Sequence, residues 1–501
     1  MRVSSAPPLP MGLRRVQPYA LLTLAFIASR WAYRHLLGIE FDATPVTYFI
    51  QYIDQWFLEH HFWQSLLYLH HQAPLQNLLV GGFIRVFGEP SAVGLLESLY
   101  TLLGYGTALG SLHVLLRLGV AWPIATLAVV VYTAAPAAIV YENWLFYHQP
   151  VCFALVLSLL ALVHYQRVKT FWAAFAYFSA ITCLGLFRNT FGPPFLLAAL
   201  GLLWLYPPLG PSVASSRRLL LRAAAVPLAV LCFVAIKPWV LTGHGYATTL
   251  IWGNLGLKIA NELPPPELAR LLHEKKVTRA SIVFSLTDLR DYGSLRIPHA
   301  PTGVPLLDLE RAPNGRWNAH ALEYLLITRD YHEPEAKYLL THYPETYLKS
   351  VGKALVAHTG SSIDDSMLPS TVNYERVQRV NAPLDRLFLR EGERQWLLLI
   401  GLPFLVCYAF VRLWTRRGRA ASQRGVFTIT SYALFVIAYT TAAYLLVSPG
   451  DFSRYRVEID PLYLLLTALV ADDLRRGLQS AARSLRDELR RRFTRTLATS
   501  V

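Results

Sequence analysis

Residues 40–79 read EFDATPVTYFIQYIDQWFLEHHFWQSLLYLHHQAPLQNLL, a stretch too polar to cross a bilayer although it directly follows an apolar run. It gathers Glu40, Asp42, Asp54 and Glu59 with His60, His61, His70 and His71. Polar residues return between apolar runs at Glu142, Asn143 and His148, then at Arg188 in LFRNTFGPP, and at Arg454, Tyr455 and Arg456 in SPGDFSRYRVEIDP. A carboxylate can take a proton from a reacting group, and an Arg fork grips phosphate oxygens in pairs. Asp42, where the first apolar run ends, is therefore the candidate functional acid. Arg188, Arg454 and Arg456 are candidate anion-binding cations, and Tyr455, His71, His148 and Glu142 complete the candidate binding set. Two ordinary alternatives stay open: an acid at a helix end is often simply solvated, and an Arg there can snorkel to the interface.

The paired histidines suggest a metal, but adjacent residues do not share a helix face and no carboxylate completes a ligand spacing. Asp364 and Asp365 read as a solvated pair. No metal or other cofactor is assigned. A P-loop and a G-x-S-x-G elbow are both missing from the sequence, so ATP-driven transport and serine hydrolysis lack support.

These residues need a membrane scaffold to hold them. The 501-residue chain is 54% hydrophobic and only 16% charged, against about 25% charged in soluble domains. Its +15 charge falls in short clusters between apolar runs, the pattern of basic loops that set membrane orientation rather than of a nucleic-acid surface. Cys152, Cys183, Cys232 and Cys407 all lie in apolar runs, as small hydrophobes. The expected fold is an all-α polytopic membrane protein with about ten spans, at 17–37, 92–116, 122–140, 148–164, 171–187, 190–206, 219–241, 395–413, 426–447 and 459–473. The apolar 74–88 is short and reads as re-entrant or surface-lying. Keeping the basic clusters on the cytoplasmic side puts 38–91, 141–147, 188–189, 242–394 and 448–458 on the far side. Apolar residues at Val46, Phe49, Ile50, Ile53, Trp56 and Phe57 predict an amphipathic helix over 44–67 lying on the membrane, anchored by Trp56 and Trp63. The segment 242–394 reads as short helices and loops, with an amphipathic helix over 343–359, and 474–501 as a basic cytoplasmic tail near anionic lipid.

The order of features is similar to that of the GT-C glycosyltransferases. A first helix is followed by an acid in Phe41–Asp42–Ala43, a surface helix, a Pro74–Leu75 turn opening a short apolar stretch that ends in FG, many short spans, and a late loop with Arg454–Tyr455–Arg456. Within that superfamily it most resembles the group of protein O-mannosyltransferases and the lipid A aminoarabinose transferase. It departs from them at Ala43, where they carry a second acid, and at Gln72 and Ala73, where they carry Lys and Pro. The resemblance covers 17–240 and 395–473. It implies a polyprenyl-phosphate sugar donor and inverting transfer to a hydroxyl of a lipid, glycan or protein acceptor on the non-cytoplasmic face. Asp42 would then be the general base, and Arg454, with Arg456 or Arg188, would bind the lipid phosphate. Residues 1–241 become the catalytic module, with 395–473 as the closing helices. A lipid or glycan transporter and a non-catalytic scaffold are the competing readings. No N-x-S/T sequon occurs, which favours a bacterial plasma membrane.

Overall fold

A computed structural model describes residues 11–205, 213–243, 249–284, 286–363, 371–391, 394–416, 424–450 and 452–499. Among them the chain is all-α apart from one pairing of two-residue strands, Arg390–Glu391 with Arg394–Gln395. Each expected span overlaps a helix, 122–140 being split into two, but among the described residues fewer than ten helices qualify as spans on length and composition. Glu89–Arg117, His148–Val168, Ala214–Thr242, Trp396–Trp414 and Val426–Val447 are long and apolar enough to cross a membrane. Trp122–Ala134 and Pro136–Glu142 make a sixth if taken as one span, bent by 59°. The bend follows from Pro136, which forces the preceding Ala135 into extended backbone. Phe171–Phe187 and Pro193–Leu205 are apolar but short; at 1.5 Å per residue the former covers about 26 Å, less than a typical hydrocarbon core of about 30 Å. Met11–His35 and the last helix carry Arg residues along their length. The chain is an all-α polytopic membrane protein.

The last helix, Phe452–Thr499, is 48 residues long, about 72 Å of continuous helix. It begins inside the stretch that the sequence suggests is the loop 448–458. Pro461 lies within it and has no N–H, so the carbonyl of Val457 loses its helical donor; the Cys152 thiol donates to that carbonyl instead, at 3.3 Å. The far end of the bundle is basic. There Asp472 accepts from the Ala121 N–H and pairs with Arg475 and Arg476 at 2.9 and 2.7 Å. Beyond it, 476–491 are all exposed.

The single amphipathic helix expected over 44–67 is instead three short ones, Pro45–Tyr48, Gln55–His60 and Phe62–Tyr68. The break comes from extended Phe49 and from Asp54, whose carboxylate accepts from the Trp56 N–H at 2.9 Å and starts a new helix. Its apolar face is covered by protein, not by lipid. Ile53, Phe57, Leu58, Phe62, Leu66 and Leu69 share a buried cluster with Val304, Leu306, Leu307, Ala312, Leu322 and Leu325. Asp54 also accepts from Asn314 at 3.0 Å, and Arg316 donates to the carbonyls of Val46 and Phe49 at 2.9 and 2.8 Å. Trp56 is partly buried, and only Trp63 remains largely exposed.

The doubtful run 74–88 forms the helix Leu75–Phe87. Gln76 donates to the hydroxyls of Tyr52 and Tyr100, and Asn77 accepts from the Ile53 N–H, so its first turn holds the loop in place. At Gly81 a Cβ would sit 2.9 Å from the Phe62 ring, so only glycine lets this helix approach Phe62–Tyr68 so closely. The amphipathic stretch 343–359 is the helix Pro344–His358, with Leu348 and Leu355 exposed.

Candidate functional site

Asp42 is held by its backbone. Its N–H donates to the Asn143 carbonyl and its carbonyl accepts from the Leu145 N–H, both at 2.8 Å, a parallel bridge between Asp42 and Trp144. Residues paired across such a bridge present their side chains on the same side. Asp42 Oδ1 accepts from the Thr44 N–H at 3.0 Å and from the Thr44 hydroxyl at 2.5 Å, fixing the turn into Pro45–Tyr48. Its Oδ2 is buried with no hydrogen-bond partner among the described residues. One oxygen is structural and the other is left for something else.

Across the bridge stand Trp144 and His148, with rings 6.0 Å apart and 21° from parallel. Both are buried, and the indole Nε1 and imidazole Nε2 also lack partners among the described residues. His148 Nδ1 contacts Glu458 Oε1 at 2.8 Å. A carboxylate only accepts, so Nδ1 carries a proton, and in the neutral imidazole Nε2 is then an acceptor.

Glu458 is the centre of the cluster. Fully buried, it also accepts from Arg188 and from the Tyr444 hydroxyl, the latter at 3.1 Å. Arg188 follows helix Phe171–Phe187 in extended backbone, which turns its side chain into the bundle. Its guanidinium lies 4.5–4.7 Å from the ring centres of Tyr147, Tyr444 and Tyr455, a cage suited to a desolvated cation. The snorkelling alternative does not describe this residue.

Arg454 and Arg456 part company. Because they lie in a helix, positions i and i+2 point about 200° apart around its axis. Arg454 faces the cluster, 2% exposed, with its guanidinium over Phe146 and Tyr455 and donating to the Tyr455 hydroxyl at 3.1 Å. Glu458, at i+4 from Arg454, shares that face. Arg456 turns the other way and donates to the carbonyls of His358 and Gly360 and to Ser362 Oγ, with Asp460 at 3.4 Å. It staples the 358–362 segment to the bundle, apart from the other arginines.

Two more expected residues lie elsewhere. Glu142 pairs with Arg30 at 2.5 Å and is packed against Gly104, where any Cβ would strike its carboxylate. His71 stacks on His320 at 4.1 Å, with His70 edge-on at 5.3 Å. His70 Nε2 meets the His320 carbonyl at 2.9 Å. Burial pulls His70 down to about 4 and His320 to about 3, and it holds His71 well below the usual imidazole range. This cluster joins the first external loop to 316–320.

Of the outer candidates, Glu40 is tied by its backbone to Asn373. Glu59 is exposed beside Gln55. His60 stacks on Trp56, and His61 precedes Phe62–Tyr68. No group of three or more His, Cys, Asp or Glu able to hold a metal is found among the described residues; Asp364 and Asp365 lie outside them. Glu458, Trp144, Tyr147 and Tyr444 were not singled out in the sequence. Glu458 had one legible signal, its i+4 spacing from Arg454, which carries meaning only if the segment is a helix.

Fold and site together define a polytopic helical membrane protein that buries Arg188, Arg454, Glu458 and an aromatic cage at one end of its bundle, beside an Asp with one oxygen unpartnered among the described residues. No family model matches the chain, and no curated protein matches it. Among solved structures it is similar to the archaeal oligosaccharyltransferase AglB from Archaeoglobus fulgidus, in complex with an inhibitory peptide and a dolichol-phosphate, at 13% identity and a TM-score of 0.39. The match covers 94% of this chain and 52% of that one, so the chain spans about half the length of that structure.

Proposed function

We propose that the chain is a membrane glycosyltransferase of GT-C type. It transfers a sugar from a polyprenyl-phosphate donor to a hydroxyl acceptor, with inversion, on the non-cytoplasmic face of a bacterial plasma membrane. The observation that carries the reading is Asp42 Oδ2, buried with no partner among the described residues, beside a buried cluster that holds Arg188, Arg454 and Glu458. An Arg fork grips phosphate oxygens in pairs, and a lipid phosphate is the anion available at a bilayer surface. Asp42 takes the proton of the attacking hydroxyl as that oxygen bonds to the anomeric carbon. The bond from that carbon to the phosphate oxygen breaks, and Arg454 with Arg188 stabilises the charge left on the phosphate. The donor carries its own leaving group, so the reading calls for no nucleotide and assigns no cofactor.

The test uses the full chain in proteoliposomes supplied with undecaprenyl phosphate carrying mannose, galactose, arabinose or N-acetylglucosamine. Asp42→Asn should remain folded and membrane-inserted and lose transfer by roughly 10²–10⁴. Full transfer by that variant removes Asp42 as the base. Movement of the lipid-linked sugar across the vesicle with no new glycosidic bond replaces the reading with a transporter.

A further inference from the structure

Three buried polar atoms on adjoining side chains of this site have no partners among the described residues: Asp42 Oδ2, Trp144 Nε1 and His148 Nε2. Buried polar atoms are nearly always paired, and leaving one unpaired is costly, so three on adjoining side chains call for a ligand's groups as partners. Their polarity is mixed. The indole can only donate, Asp42 Oδ2 accepts, and His148 Nε2 accepts because Glu458 holds the proton on Nδ1. A phosphate cannot satisfy the set, since it brings no proton for Nε2. A bare apolar chain satisfies none of it. A hydroxyl group fits the Trp144–His148 pair, giving its proton to the imidazole and accepting from the indole, and leaves Asp42 Oδ2 for a second proton donor.

We infer that Trp144 and His148, with the imidazole oriented by Glu458, recognise a ring hydroxyl of the sugar attached to the lipid phosphate, making His148 a specificity-determining residue. The shared carboxylate oxygen places the hydroxyl reader beside the anion site: Glu458 Oε1 receives both His148 Nδ1 and Arg188 Nη1. A phosphate held by Arg188 and Arg454 therefore sets its sugar against the stacked Trp144–His148 pair. Asp42 Oδ2, on the same side of the bridge as Trp144, is left for the acceptor hydroxyl. This deepens the function proposed above and rests on it for the naming of donor and acceptor, but the recognition itself is a binding property.

The test measures binding to the full chain in nanodiscs, so it does not depend on turnover. The probes are undecaprenyl phosphate bare or carrying mannose, galactose, arabinose or N-acetylglucosamine, with monodeoxy analogues of whichever sugar binds best. At least one sugar-bearing lipid should bind about tenfold more tightly than the bare lipid phosphate. One monodeoxy analogue should lose that gain, and His148→Phe and Trp144→Phe, which keep a ring in the stack, should bring the affinity ratio of sugar-bearing to bare lipid phosphate to about one. Equal affinity for bare and sugar-bearing lipid overturns the inference, and so does a sugar preference that survives both variants. Sugar-selective binding without transfer sinks the proposed reaction alone; transfer with no hydroxyl discrimination sinks this inference alone.

Discussion

Replacing Glu458 with Gln removes the negative charge that pairs with Arg188 while keeping the side chain's shape. In the wild type this fully buried carboxylate accepts from Arg188, His148 and Tyr444, with Arg454 on the same helix face. Breaking a buried ion pair by neutralising one partner costs about 3–5 kcal/mol, because the other charge is left desolvated. The Gln carbonyl can still accept one hydrogen bond, which puts the expectation near the lower end, about 3 kcal/mol. Removing both charges should cost less than the sum of the single changes. A cycle through Arg188→Gln, Glu458→Gln and the double variant should therefore give a coupling of about 2 kcal/mol. SDS titration in mixed micelles, read by circular dichroism, supplies the unfolding free energies. A Glu458→Gln protein within about 0.5 kcal/mol of wild type, or strictly additive variants, would refute the claim that this carboxylate neutralises the arginine cage.

Three further predictions rest on other parts of the molecule. Gly104→Ala should destabilise by about 1–3 kcal/mol through overpacking against Glu142, and Glu142→Ala in the same chain should not rescue it, since that change strips Arg30 of its partner; thermal unfolding in detergent reads both. The histidine cluster should make the protein less stable in acid. Burial sets His70 and His320 at about 4 and about 3, whereas an unfolded imidazole titrates near 6.5. The unfolded state thus binds more protons as pH falls from about 6.5 toward 4, and stability is lost across that window; melting temperatures from pH 7.5 to 4.5 should fall, and less steeply in His70→Gln. Asn314→Ala should loosen the contact between the first external loop and 304–325 and raise protease cleavage there by several-fold, because Asp54 loses a buried donor worth about 1 kcal/mol.

The helices were legible because apolar runs of near-span length have few other uses, and each of the ten predicted runs overlaps a helix. Their qualification as spans was less so: length alone separates Phe171–Phe187 from His148–Val168. Asp42 could be found because hydropathy marks where a helix leaves the bilayer. Arg454 and Arg456 looked equivalent in sequence, yet helical phase sends one to the cage and the other to Ser362. Glu142 drew notice as an acid between spans, but its role depends on Arg30, 112 residues earlier, and such a pairing leaves no local trace. Likewise the apolar face of 44–67 had the right period for a membrane surface; only the distant residues 304–325 reveal that protein covers it. Sequence periodicity tells that a face is buried, not what buries it.

Pro461 gives the last helix a missing rung directly beneath Arg454 and Glu458. The freed carbonyl belongs to Val457, between Arg456 and Glu458, and it leans on a thiol from a different helix, Cys152. A thiol is a weak donor, so this turn resists bending less than its neighbours do. The helix is thus stiff along its basic length and compliant at its working end, where Glu458 can shift its hold on Arg188 without displacing the rest of the rod.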